Sequence, residues 1–251
     1  MRNRFIIGFV LCFALAFVAK AEAAIVYDLK TDWSDATNPN GTWTYREGNN
    51  ALPHVADWQG LSSDFTGIQP AWARFETGSS NLPAWFKIAS SNEVRGDWQL
   101  GDIVTHTTDG FNGLGSGVSN VIWTSPLNGT IDVGGGVWMG RDIGRSNDWE
   151  LLLNGVSLTG GELDSGDIYN RSNPFNFAAG SGGPSVLNQI SVTAGDVLML
   201  RLTRESTAGD YVGVNLTVTA TAAVPEPATL TIWGLGALGC AIGTYRRRRT
   251  A

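Results

Sequence analysis

The stretch "YVGVNLTVTA", residues 211–220, alternates without a break. Val212, Val214, Leu216 and Val218 fall on one side, and Gly213, Asn215, Thr217 and Thr219 on the other. A period of two with one apolar and one polar face is the pattern of a half-buried antiparallel strand. "DVLMLRLTR" (196–204) repeats it, with Leu198, Leu200 and Leu202 opposite Val197, Met199 and Arg201. Working outward, further strands are predicted at 24–29, 41–45, 71–76, 84–88, 118–124, 130–139 and 148–154. Turn signals separate them, among them Asn40-Gly41, Asn128-Gly129 and Ala194-Gly195-Asp196. Asn154-Gly155 between "WELLL" and "VSL" is the strongest short hairpin signal. The composition agrees: 32 Gly, ten Trp and only 16% charged residues in 251 suit strands and tight turns better than helices. The expectation is an all-β antiparallel β-sandwich of jelly-roll type over residues 24–222. The first eighty or so residues, richer in Asn, Asp, Pro and Trp, are expected to form long loops around one end.

Both ends of the chain are apolar. Arg2 and Arg4 precede an apolar run from Phe5 to Ala19, and Ala21-Glu22-Ala23 fits a small-x-small cleavage site. Residues 1–23 therefore read as a secretory signal peptide in a helical segment. At the other end, Ala228 to Tyr245 holds no charge and Arg246, Arg247, Arg248 and Arg249 follow at once. Such a run is about long enough for a transmembrane helix, with the arginines in the cytoplasm and the β-domain outside. Cys12 and Cys240 lie in these two runs, so the segment between them has no cysteine and no thiol chemistry. With the signal and the arginine block set aside, ten Lys and Arg face 22 Asp and Glu, a net charge of −12. A surface of that sign repels phosphate backbones, which excludes a nucleic-acid partner.

Val224 and Pro225-Glu226-Pro227, the apolar run and the terminal arginines together resemble the PEP-CTERM sorting signal of exported bacterial proteins, over residues 223–251. That resemblance implies an exosortase-type membrane protease-transpeptidase as partner. It also implies release near Pro225, Glu226 and Pro227, transient attachment to the membrane through the C-terminal helix, and a final place at the cell surface or outside the cell. Trp123, Pro126 and Gly129, then Asp148-Trp149-Glu150, then Ala194-Gly195-Asp196 follow a pattern similar to β-domains that precede this signal. Some of those domains are similar to carbohydrate-binding jelly rolls, and fold does not supply function.

Other motifs compete with blander readings. "GLGALG" (234–239) has the form of a dinucleotide fingerprint, but it lies inside the apolar run rather than between a strand and a helix. Trp33, Trp58 and Trp98 sit among Asp and Asn and are the candidates for stacking on sugar rings, whereas Trp123, Trp138 and Trp149 lie in apolar strands and read as core. Asp28, Asp32 and Asp35 form an oxygen-rich loop that offers calcium ligands, without the spacing of an EF-hand; no other cofactor is implied. His54 and His106 have no ligand-spaced partners. A carboxylate pair such as Glu93 and Glu150 can always be nominated among so many acids, and the nomination carries no weight. The reading is a non-enzymatic exported protein of the cell surface or extracellular matrix, structural or adhesive, in contact with polysaccharide. The alternatives are a specific carbohydrate-binding module and a glycan-active enzyme.

Overall fold

The computed structural model describes residues 24–58, 69–74, 82–89, 96–108 and 118–223. In chain order the strands are β1 (Ile25–Asp28), β2 (Trp43–Glu47), β3 (Asn50–Ala51), β4 (His54–Trp58), β5 (Gln69–Ala73), β6 (Ala84–Lys87), β7 (Ile103–His106) and β8 (Val118–Thr124). They continue with β9 (Gly129–Met139), β10 (Asn147–Leu153), β11 (Val156–Leu163), β12 (Phe175–Asn176), β13 (Ile190–Val192), β14 (Val197–Arg204) and β15 (Tyr211–Ala222). Among the described residues they make two antiparallel sheets. The first runs β12-β9-β15-β7-β6-β5-β4, with β1 also on β15 and β13 on β9; the second runs β11-β10-β14-β8-β2-β3.

The alternation in β15 and β14 sets the core. Val212, Val214, Leu216 and Val218 are buried on one side of β15, as are Leu198, Leu200 and Leu202 on β14. These faces meet in one cluster that draws on both sheets. Rings bridge the layers: Tyr27 of β1 lies 5.4 Å from Trp123 of β8, Tyr45 of β2 lies 5.9 Å from Trp85 of β6, and Trp149 of β10 lies 5.1 Å from Phe175 of β12. Truncating a buried ring of this size costs about 3–5 kcal/mol, so stability without disulfides rests here. The one glycine on the apolar strand of β15 has a steric reason. A Cβ on Gly213 would sit 2.0 Å from the Trp138 indole that crosses it.

The first sheet is also buried on its other face. Trp58, Phe86, Val104, Trp98 and Tyr211 form a second cluster there, while Trp85 and Ile103, their neighbours in sequence, belong to the main core. Strands covered on both faces read as continuous apolar runs, which is how "AWFKI" (84–88) reads. The expectation of long loops over the first eighty residues is corrected accordingly: residues 25–58 supply β1 to β4, and β4 and β5 extend the first sheet.

One junction needs a polar seal. β7 and β1 share the same edge of β15, pairing with Tyr211–Val214 and Thr217–Ala220 respectively. Between them the Leu29 N–H donates to Leu216 O at 3.0 Å, and nearly buried Asp102 accepts from Lys30 Nζ at 3.0 Å and from Arg171. Burial alone would raise the Asp102 carboxyl. The hydrogen bonds from Arg171, Lys30 and the Gln99 N–H outweigh it and hold the group below the usual carboxylate range.

The all-β, antiparallel expectation holds, while this ladder order does not by itself assign a jelly roll. The predicted signal helix (1–23) and transmembrane helix (228–245) lie outside the described residues. Among the described residues no helix is long and apolar enough to cross a membrane.

Candidate functional site

The three tryptophans expected at the surface do not form a stacking platform. Trp58 is 2% exposed, with its ring centroid 4.5 Å from Phe86, and Trp98 is 8% exposed, edge-on to Tyr211 at 5.3 Å. Both belong to the second cluster of the first sheet. Trp33 is half-buried: its ring lies 4.6 Å from Tyr45 and its Nε1–H donates to Asp35 at 2.8 Å. Their polar neighbours misled because an Asp beside a ring can bond elsewhere in the fold, as Asp35 does to the Trp33 indole and Asp97 to the Arg171 N–H, or sit exposed on the strand whose Trp points inward, as Asp57 does beside Trp58.

The proposed calcium ligands are occupied in the same way. Asp28 Oδ1 accepts the N–H groups of Lys30 and Thr31 at 2.9 and 2.8 Å. Asp32 Oδ2 accepts the Asp28 N–H and the Trp43 indole N–H at 3.0 and 3.1 Å. Among the described residues no three His, Cys, Asp or Glu side chains converge on a point where they could hold a metal ion.

The histidines are equally separate. His54 packs beside Trp72 at 5.2 Å on β4, whereas His106 on β7 is fully buried against the Tyr211 ring at 4.3 Å. Burial pushes His106 down to about 3. The nearby Arg145 and Arg141 push the same way, while the Thr107 carbonyl opposes them at Nδ1. Its Nε2 has no hydrogen-bond partner among the described residues. Glu93 lies outside the described residues, and Glu150 pairs with Arg201 directly across β10 and β14.

The second sheet carries a polar groove on its outer face. About 390 Å³ in volume, it is lined by Asp148, Glu150, Ser157, Gly160, Glu162 and Ser181. The register builds its acidic end: Asp148 stands directly opposite Glu162 across β10 and β11, and Glu205 follows β14 beside it. Burial, a shared hydrogen bond with Glu205 and the charges of Glu205, Glu162 and Asp164 push Asp148 up to about 7. Glu162, facing Asp164, is raised as well. The groove offers carboxylate and hydroxyl oxygens over a glycine floor, and the crowding of acids at one end holds Asp148 well above the usual carboxylate range. None of this was legible in the sequence, because 148, 162 and 205 become neighbours only through strand register.

At the opposite end, β8, β9, β13, β14 and β15 meet in a clasp. Asp196 Oδ2 accepts the Thr193 N–H at 2.7 Å and its Oδ1 accepts from Asn154 Nδ2 at 3.1 Å. Asn154 Oδ1 in turn accepts the Val197 N–H at 2.9 Å. The Ser125 N–H donates to Asp196 O, and the Gly195 N–H returns to Ser125 O, both at 2.8 Å. Asn128 takes the Ala194 N–H on its side chain and the Ala223 N–H on its backbone carbonyl, again at 2.8 Å. Two of the sequence patterns, Trp123-to-Gly129 and Ala194-Gly195-Asp196, are thus brought together, and Asp148-Trp149-Glu150 runs elsewhere along β10. Gly129 is required: a Cβ there would sit 2.0 Å from Thr221 O. This clasp holds Ala223, the last described residue.

Residues 223–249 match the PEP-CTERM protein-sorting motif. They contain Pro225, Glu226, Pro227 and the arginines 246 to 249, all outside the described residues. A chain carrying this motif is exported, processed at the membrane by an exosortase, and then located at the cell surface or outside the cell. No curated protein matches the chain.

Proposed function

We propose that this exosortase-sorted chain is a structural or adhesive component of the cell surface or extracellular matrix, without catalytic activity, whose β-sandwich body lies against secreted polysaccharide. The observation that carries the reading is the fate of its aromatic side chains. Of the nine tryptophans in residues 24–223, eight are buried in the two clusters or beside them and the ninth is half-buried. Large rings spent on packing make a rigid body and leave few flat apolar faces for a sugar. The acidic surface, poor in Lys and Arg, keeps such a body soluble at high local concentration.

A carbohydrate-binding module is the second reading, and the groove beside Glu150 and Glu162 favours it. Carboxylates and hydroxyls over an open floor suit sugar hydroxyl groups. Binding of the exported, purified protein to a panel of oligosaccharides and to whole cell-surface polysaccharide separates the two. The structural reading expects retention on bulk polysaccharide with no saturable binding to any single oligosaccharide tighter than about 1 mM. Micromolar binding that Glu162→Gln abolishes would replace it with the second reading.

A further inference from the structure

We infer that the groove between β1 and the turn at residues 40–43 holds one neutral pyranose unit of a polysaccharide, an inference that rests on the polysaccharide contact proposed above. About 380 Å³ in volume, the groove is lined by Val26, Tyr27, Asp32 and residues 40–43. It lies toward the β2 side of the second sheet, away from the acidic groove on β10 and β11.

The strand register supplies the groove with free backbone groups. The Leu29 N–H donates to Leu216 O, so in this antiparallel ladder Tyr27 and Ile25 also turn their backbone groups to β15, and Val26 and Asp28 turn theirs away. The Asp28 groups are taken: its N–H donates to Asp32 Oδ2 at 3.0 Å, and its carbonyl accepts the Asp32 N–H at 2.8 Å. The Asp32 carboxylate therefore stands off the free edge of β1. The Val26 N–H and C=O face the same side and have no partner among the described residues. The Trp43 indole N–H donates to Asp32 Oδ2 as well, at 3.1 Å, which leaves Oδ1 uncommitted among the described residues. Thr42 Oγ1 and the Tyr27 hydroxyl are also uncommitted there. Burial and the Asp32 charge both raise the Tyr27 hydroxyl above its usual range, so it stays protonated and able to donate.

These groups include both donors and acceptors, as the hydroxyls of a sugar require. Val26, 60% exposed, and the half-buried Tyr27 ring add apolar surface for the C–H face of the sugar. An extended peptide requires a row of free N–H and C=O groups on alternate residues. β1 offers only those of Val26, because Asp28 is capped. Charge selects among sugars. Asp32 is the one charged residue lining the groove, and it is negative, so an acidic sugar is repelled and a neutral one is not.

The experiment follows amide and indole NMR resonances of the exported, purified protein as maltohexaose, cellohexaose or hexagalacturonate is added. Retention of the same protein on immobilised cell-surface polysaccharide is measured alongside. A neutral hexasaccharide should move the Val26 amide and the Trp43 indole along a saturable curve with its midpoint above about 1 mM. Hexagalacturonate should move them less. Tyr27→Phe combined with Thr42→Val removes two hydroxyls and keeps both side-chain shapes, so the remaining spectrum should be unchanged. That double variant should weaken both the titration and the retention roughly tenfold. Glu162→Gln, in the acidic groove, should change neither. Retention lost in Glu162→Gln and kept in the double variant overturns this site and moves the contact to the acidic groove. Equal retention of all three chains overturns it too, since the contact then belongs to no single groove. Shifts at Val26 with a Thr-Val repeat peptide and none with either neutral sugar would make β1 a strand-docking edge instead. An unaltered protein that is not retained at all overturns the polysaccharide contact itself, and the site with it.

Discussion

Asp196 and Asp148 are the same residue at opposite ends of the second sheet, and their surroundings treat them oppositely. At the tail end, Asp196 receives the Thr193 N–H and the Asn154 amide, which hold its carboxyl below the usual range. At the far end, Asp148 loses water and faces Glu205 and Glu162, and is pushed up to about 7. A carboxylate met by donors fixes a turn; one met by other carboxylates is held in a charge state it resists. The tail end thus keeps its carboxylate in the charge state its donors favour. The far end, where buried His106 also lies, stores electrostatic tension that pH can release.

The largest test of that contrast is acid. His106 has a folded value pushed down to about 3 by burial, against 6.5 for the free side chain. The unfolded chain takes up the proton first, so the stability from the neutral buried ring is complete above about pH 6.5 and is lost progressively as pH falls toward 3. Between about pH 6.5 and pH 4 that loss should reach ~3 kcal/mol. Urea midpoints at several pH values will show it, and His106→Phe should flatten the acid limb while keeping a ring against Tyr211. An unchanged slope in that variant would move the acid sensitivity elsewhere.

The tail end should break sterically instead. Gly129→Ala places a Cβ 2.0 Å from Thr221 O and 3.0 Å from Ala222 Cα, both backbone atoms of β15. Neither can swing aside as a side chain would, so β9 and β15 must separate at their ends. Overpacking of this kind costs about 1–3 kcal/mol, and the loss should be the same at about pH 7 as at pH 5, because none of the groups it moves titrates there. Hydrogen exchange should locate it in Thr219 to Ala223; protection unchanged over those amides would show that the clasp absorbs the methyl group.

How much of this could be read from the chain follows from what each feature depends on. The faces of β15 and β14 were legible because one side of each is buried and the other open, so burial wrote itself into every second residue. β7 was missed, and "AWFKI" gave no face, because the first sheet is covered on both sides there and alternation disappears; β4, buried only at Val55 and Trp58, was missed because "HVADW" does not alternate. Trp58 and Trp98 were misjudged from their polar neighbours, because a charged residue next to a ring in sequence can face the other way, as exposed Asp57 does on β4, or bond across the fold, as Asp97 does to the Arg171 N–H. The sorting tail was legible because its parts are contiguous, and the hairpin at Asn154-Gly155 because turn chemistry is local. The acidic groove was not, since it depends on a register that aligns Asp148 with Glu162 and brings Glu205 alongside.

The smallest effect is the most diagnostic of that groove. A carboxyl with a raised folded value favours the folded state at low pH. For Asp148 that contribution is complete below about pH 4 and is lost as pH rises through about 7. Asp148→Asn removes the charge that faces Glu205 and Glu162. The variant should therefore be more stable than the unaltered chain at about pH 8, with the difference shrinking to nothing near pH 4. Since Asp148 is only partly buried, solvent and salt screen the repulsion, and the gain at pH 8 should fall when ionic strength is raised. This gain runs against His106, because one group gains stability and the other loses it over the same interval. The acid slope of Asp148→Asn should accordingly be steeper than that of the unaltered chain. A shallower slope would mean that Asp148 is stabilised by donors after all, and that the two ends of the sheet do not differ in kind.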